Sequence, residues 1–172
     1  TVDKLVPRVR TTAIVLYSIY LTMTFVQFIM LVCGEMTAFE ALNAAFSTAG
    51  TGGFSWSANG MNDYSTYSQI VTTVFMLLFS INFNSYYLII RGKFKDAFNA
   101  EVKTFLVIVL IAIGAITANT YMSGYFGTLG EAIKHSAFSV SSIISTTGFS
   151  TADFDLWPEF SKVILVTIMF VG

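Results

Sequence analysis

The chain has 172 residues, of which 55% are hydrophobic and 11% charged, with a net charge of −1 and a mean hydropathy of +0.71. Soluble domains carry about 25% charged residues, so this composition marks an integral membrane protein and excludes an ordinary soluble domain. The near-neutral balance gives no sign of a nucleic-acid partner, and the lone Cys33 excludes an intrachain disulfide and a thiolate metal site and suggests no redox role.

The chain opens at Thr1 without an initiator Met or a signal pattern and closes at Gly172 inside an apolar run, so it is expected to be an excerpt. Lys4, Pro7, Arg8 and Arg10 form a basic lead-in. No charge follows until Glu35, and residues 11–33 predict a first spanning helix; at about 1.5 Å per residue this crosses a hydrocarbon core about 30 Å thick. Gly34 ends it. Residues 37–50, with Ala38, Ala41, Leu42, Ala44 and Ala45, predict a helix of only roughly 20 Å, too short to span. A glycine loop at 51–54 comes next, then Ser57, Asn59, Gly60, Asn62 and Asp63, the residue types of an exposed turn.

Residues 64–90 are again free of charge and predict a second span, interrupted by Ser80, Asn82, Asn84 and Ser85. Asn82 with Ser85, or Ser80 with Asn84, would share one helix face. That face either makes packing hydrogen bonds to other helices or lines a wet cavity. Arg91, Lys93, Lys95 and Lys103 make the next connection basic. A third span is expected over 104–122, where the spacing of Gly114 and Ala118 would admit a close helix neighbour. A turn over 123–130 leads to a second short helix at 131–145, a second glycine loop at 146–149 and an incomplete span at 159–172.

Long helix, short helix, glycine loop and long helix thus occur twice, in 1–95 and 96–172, with Gly-Phe-Ser at 53–55 and again 95 residues later at 148–150. The expected fold is an all-α membrane protein of two tandem repeats, each an outer helix, pore helix, filter loop and inner helix. The positive-inside rule puts both basic segments in the cytoplasm. Both glycine loops then enter from the extracytoplasmic side, where Glu35, Glu40, Asp63, Glu131, Asp153, Asp155 and Glu159 collect into a negative mouth that concentrates cations.

Irregular backbone at membrane depth must line water or be buried in protein. Stripping the water from an alkali cation needs a ring of oxygen dipoles, and backbone carbonyls supply one when successive residues turn them toward a common axis. Glycine reaches the necessary positive φ without steric cost. Gly53 and Gly148 are therefore the central filter positions, with Thr51, Gly52, Thr146 and Thr147 offering neighbouring carbonyls and the threonine hydroxyls further ligands. Each preceding short helix directs its partly negative C-terminal end toward the same place. One Thr-Gly-Gly-Phe alone would be an ordinary turn; two copies in the same setting read as filters.

His135, with no second His or Cys beside it, forms no metal site and is expected to be solvated. Trp56 and Trp157 are expected as interfacial anchors or filter buttresses. A secondary active cation symporter built on broken helices is the alternative reading, though the two copies run in the same direction and no span holds an acidic residue. Catalytic constellations are lacking, so an enzyme is not expected, nor any cofactor.

The stretches Ala45 to Ser55 and Thr146 to Phe154, followed by Leu156-Trp157-Pro158, resemble the Trk/Ktr/HKT potassium-transporter superfamily, most closely its bacterial TrkH-type branch. The resemblance implies potassium uptake through a four-repeat pore with one filter glycine per repeat, of which Gly53 and Gly148 match two. It further implies potassium as the transported ion, remaining pore repeats in the same protein, a homodimer, a cytosolic nucleotide-binding regulatory subunit, and residence in the bacterial inner membrane. The first and last repeats and the continuation after Gly172 are not in the chain.

Overall fold

The computed structural model describes residues 5–172, with backbone alone for 5–9; Lys4 and the side chain of Arg8, which entered the orientation argument, lie outside the described residues. Every regular element among the described residues is helical: α1 (Leu5–Cys33), α2 (Ala38–Ala49), α3 (Thr66–Ser80), α4 (Phe83–Ile90), α5 (Phe94–Ala97), α6 (Ala100–Met122), α7 (Leu129–Ile144) and α8 (Glu159–Met169). α1 from Arg10 onward and α6 are each long and apolar enough to cross a membrane. α2 and α7, of 12 and 16 residues, reach only about 18 and 24 Å.

Helix starts follow the polar residues. Thr37 caps α2 by accepting from Glu40 N–H, and the Glu40 carboxylate accepts from Thr37 N–H in return. Ser65, Asn99 and Thr128 cap α3, α6 and α7 with the side chain alone, accepting from the N–H groups of Ser68, Val102 and Glu131.

The helix expected as one piece over 64–90 is two, α3 and α4, meeting at 88°. Ile81 is extended (φ −74°, ψ 137°), and the Asn82 side chain caps α4 by accepting from Asn84 N–H. Ser80 Oγ donates to the Met76 carbonyl at 2.8 Å. Short polar side chains that bond to nearby backbone compete with helix continuation, so the polar run is a break rather than a helix face. Ser80 and Asn82 end one helix and open the next. Tyr20 of α1 holds the corner, touching the rings of Phe79 at 5.7 Å and Phe83 at 6.1 Å.

Lipid tails are as apolar as the helices, so packing rather than water exclusion must hold these elements together. α3 of the first unit packs on α7 of the second. Their shared core contains Met61, Phe75, Met76, Phe138 and Phe149. A second core joins α6, α7 and α8 through Ile116, Val140, Trp157 and Leu165. Gly114, by contrast, has open space beside it and no close helix neighbour among the described residues.

Candidate functional site: two glycine loops in contact

α2 and α7 end in the same hydrogen-bonded turn. Gly52 N–H donates to the Ser47 carbonyl (2.7 Å) and Thr51 N–H to that of Thr48 (3.2 Å); at the matching positions Thr147 N–H donates to Ser142 (2.9 Å) and Thr146 N–H to Ile143 (3.0 Å). This pairing closes a helix with one left-handed residue, usually glycine. Both loops use a threonine instead, Thr51 at φ 51° and Thr146 at φ 57°. A β-branched residue there is strained by about 1–2 kcal/mol, so the surroundings must impose it.

Two residues on, Gly53 (φ 67°) and Gly148 (φ 87°) are left-handed again, while Gly52 and Thr147 between them are not. Alternating handedness gathers successive N–H groups on one edge of the chain and leaves the carbonyls to the other. The N–H edge faces back to the short helix. Phe54 N–H donates to Ser47 Oγ at 2.6 Å, and Gly148 N–H reaches the Ser142 carbonyl at 3.3 Å. Among the described residues nothing donates to the carbonyls of Thr51, Gly52, Gly53, Thr146, Thr147 or Gly148.

The two loops touch. A Cβ built on Gly53 would collide with the Thr147 carbonyl oxygen and lie 3.2 Å from the carbonyl carbon of Gly148. Of the six residues expected at the site, Gly53, Thr147 and Gly148 meet across this contact, and Thr51, Gly52 and Thr146 adjoin them along their own loops. The hydroxyls of the second loop's threonines are engaged within it: Thr147 Oγ1 bonds Ser145 Oγ at 2.7 Å, and Thr146 Oγ1 donates to the Ser145 carbonyl at 2.7 Å.

On the side of the α6 N-terminus, an open cavity of about 390 Å³ is lined by Ser80, Asn82, Glu101, Ser145, Thr146 and Gly172, among others. Asn82, an expected cavity residue, is in this lining, its Nδ2 3.4 Å from Glu101 Oε1. Ser85 is not. It is buried in α4 with its hydroxyl unpartnered.

His135 also departs from expectation. Its ring is half-buried, stacked on Phe126 at 5.1 Å and 6°, with Nδ1 3.0 Å from Thr151 Oγ1 just past the second loop. Burial, then the nearby Lys134 charge, holds its pKa below the usual 6.5. Trp157 is buried against Phe126 and Tyr125 in the core shared by α6, α7 and α8, whereas Trp56 is 66% exposed. Of the acidic residues at the expected mouth, Glu40 is bound in its cap and Glu159 is paired with Lys162 at 2.7 Å.

Sequence reasoning passed over Ser47 and Ser142, which gather the loop N–H groups and lie five residues before Gly52 and Thr147; that shared interval was the available signal. It also passed over Gln27, fully buried in α1, whose Nε2 donates to Thr48 Oγ1 at 2.9 Å.

The chain is similar to known proteins over nearly its whole length. Residues 2–172 match the family model TrkH, described as cation transport protein. The Trk system potassium uptake protein TrkH of Halomonas elongata is 30% identical over 99% of this chain, and that of Vibrio parahaemolyticus 30% over 98%. The crystal structure of the potassium transporter TrkH from Vibrio parahaemolyticus superposes with a TM-score of 0.87 at 28% identity, covering 94% of this chain. The chain spans 36% of the length of these relatives.

Proposed function

Because the chain belongs to the TrkH family of cation transport proteins, we propose that its two glycine loops form two quarters of a potassium-selective filter in a channel-like uptake protein. The observation that carries this reading is the set of six carbonyls at 51–53 and 146–148, left without donors by N–H groups drawn back to Ser47 and Ser142. Such carbonyls replace the hydration shell of potassium. Thr51, Gly52, Gly53, Thr146, Thr147 and Gly148 are the ion-binding residues, through main-chain oxygen. The ion is cargo, so no cofactor and no catalytic step is required. The loops face the extracytoplasmic side of the bacterial inner membrane. The remaining filter loops come from further repeats of the same protein, which works as a homodimer with a cytosolic nucleotide-binding regulatory subunit.

The test is flux of potassium and sodium into proteoliposomes holding the full-length protein. Gly148→Ser is expected to lower potassium over sodium discrimination, while Lys93→Ala, distant in the basic connection, leaves it unchanged. Equal selectivity in wild type and Gly148→Ser would remove Gly148 from the filter.

The break between α3 and α4 favours one second reading, a cation symporter with a broken helix. Potassium uptake that stops when the proton and sodium gradients are collapsed, with the membrane potential clamped, would select it.

A further inference from the structure

The polar turn of the first unit is tied to the second glycine loop. Met61 N–H donates to the Ser150 carbonyl at 2.9 Å, two residues beyond Gly148. The Met61 side chain is fully buried in the core that contains Phe149, and its own carbonyl accepts from Gln69 Nε2 at 3.1 Å. The turn is held in shape before it reaches Ser150. Asp63 accepts from Ser57 Oγ and, with both oxygens, from Asn59 Nδ2 at 3.1 and 3.2 Å. Ser55 Oγ donates to the Gly60 carbonyl at 3.0 Å. Gly60 is left-handed (φ 66°), and a Cβ there would stand 2.8 Å from the Ser150 carbonyl oxygen and 3.0 Å from Ser150 Oγ.

We infer that the Asn59-Gly60-Met61 turn is a positioning element for the neighbouring unit's filter, with Gly60 letting the turn come close enough for Met61 N–H to hold the Ser150 carbonyl. This rests on the filter reading above. Ser150 and Gly148 are separated by Phe149 alone, whose carbonyl is fixed by Ser142 Oγ at 2.6 Å. Displacing Ser150 therefore twists the short run that ends at Gly148. Gly60 touches no ion; it acts through Ser150.

The test again uses the full-length protein in proteoliposomes and reads the ratio of potassium to sodium flux, which does not depend on how many molecules insert. Gly60→Ala is expected to lower that ratio roughly three- to ten-fold, the effect of one weakened buried hydrogen bond. Gly124→Ala is the control, because Gly124 is equally left-handed (φ 71°) with nothing near it, and it leaves the ratio unchanged. Asp63→Asn loosens the turn without adding an atom at the contact and moves the ratio in the same direction by less; it carries the test if Gly60→Ala fails to insert. A normal ratio in both variants, with Gly148→Ser lowered, overturns the inference and leaves the filter standing. A normal ratio in Gly148→Ser as well overturns the filter reading and this one with it.

Discussion

The two glycine loops share one backbone pattern but are not held alike. The first is fastened from one side, by Ser47 at the end of its own short helix, and its Phe54 is 74% exposed. The second is fastened from two sides, by Ser142 of α7 and by Met61 of the preceding unit, and its Phe149 is 4% exposed. The positions of the second unit that correspond to Gly60 and Met61 are Asp155 and Leu156; Leu156 is 68% exposed in a 3-10 turn. Support thus runs forward along the chain, from one unit's outer turn to the next unit's loop. On the proposed filter reading, a loop held this way takes its geometry from its neighbour as well as from its own glycine.

The largest expected effect would break the contact between the loops. Gly53 and Gly148 are both left-handed, but a side chain at Gly53 collides with the Thr147 carbonyl whereas one at Gly148 meets open space among the described residues. Gly53→Ala must displace a main-chain oxygen of the second loop, while Gly148→Ala adds only dihedral strain of about 1–2 kcal/mol. Gly53→Ala should therefore cut potassium over sodium discrimination by at least about ten-fold and by clearly more than Gly148→Ala. Equal losses in flux assays would mean that the loops do not depend on each other.

A smaller effect separates the two serines. Ser142→Ala leaves the buried Phe149 carbonyl without its donor, at a cost of about 1–3 kcal/mol. Ser47→Ala frees the N–H of Phe54, whose hydrogen bond is only part-buried, and should cost less. Thermal unfolding in detergent gives the order. A Ser47 variant as damaged as the Ser142 variant would show that the first loop is held as tightly as the second.

Much of this organisation is legible in the chain itself. Charge-free runs after Arg10 and Lys103 announce α1 and α6, and the repeated Gly-Phe-Ser locates both loops, because glycine is required where the backbone turns left-handed. The left-handed threonines are not legible, since Thr51 and Thr146 are held against their own preference by the Ser47 and Ser142 bonds. Nor is the sharp corner at Ile81 and Asn82, where a polar run reads equally as a helix face or as a stop followed by a cap. His135 reads as solvated because its partners, Phe126 and Thr151, lie nine and sixteen residues away and meet it only through tertiary packing.

The smallest effect expected is a difference in acid sensitivity between the same position of the two units. Glu40 and His135 lie 95 residues apart, the repeat interval. The Thr37 hydroxyl and then its N–H hold the Glu40 carboxyl below the usual 4.5, so its contribution is present above pH 4.5 and lost only as pH falls through that lowered value. His135 behaves differently. Burial favours the neutral ring and holds its folded pKa below 6.5, so protons prefer the unfolded chain; stability is full above pH 6.5 and declines as pH falls from there toward the lowered folded value. As pH falls from 6.5 toward that lowered value the second unit should weaken first, because its histidine takes up a proton more readily in the unfolded chain. The unfolding temperature of the wild type should drop across that window, while His135→Gln, which cannot titrate, should stay flat and Glu40→Gln should follow the wild type. A wild-type drop that persists in His135→Gln would put the sensitivity elsewhere and leave the two units equal toward acid.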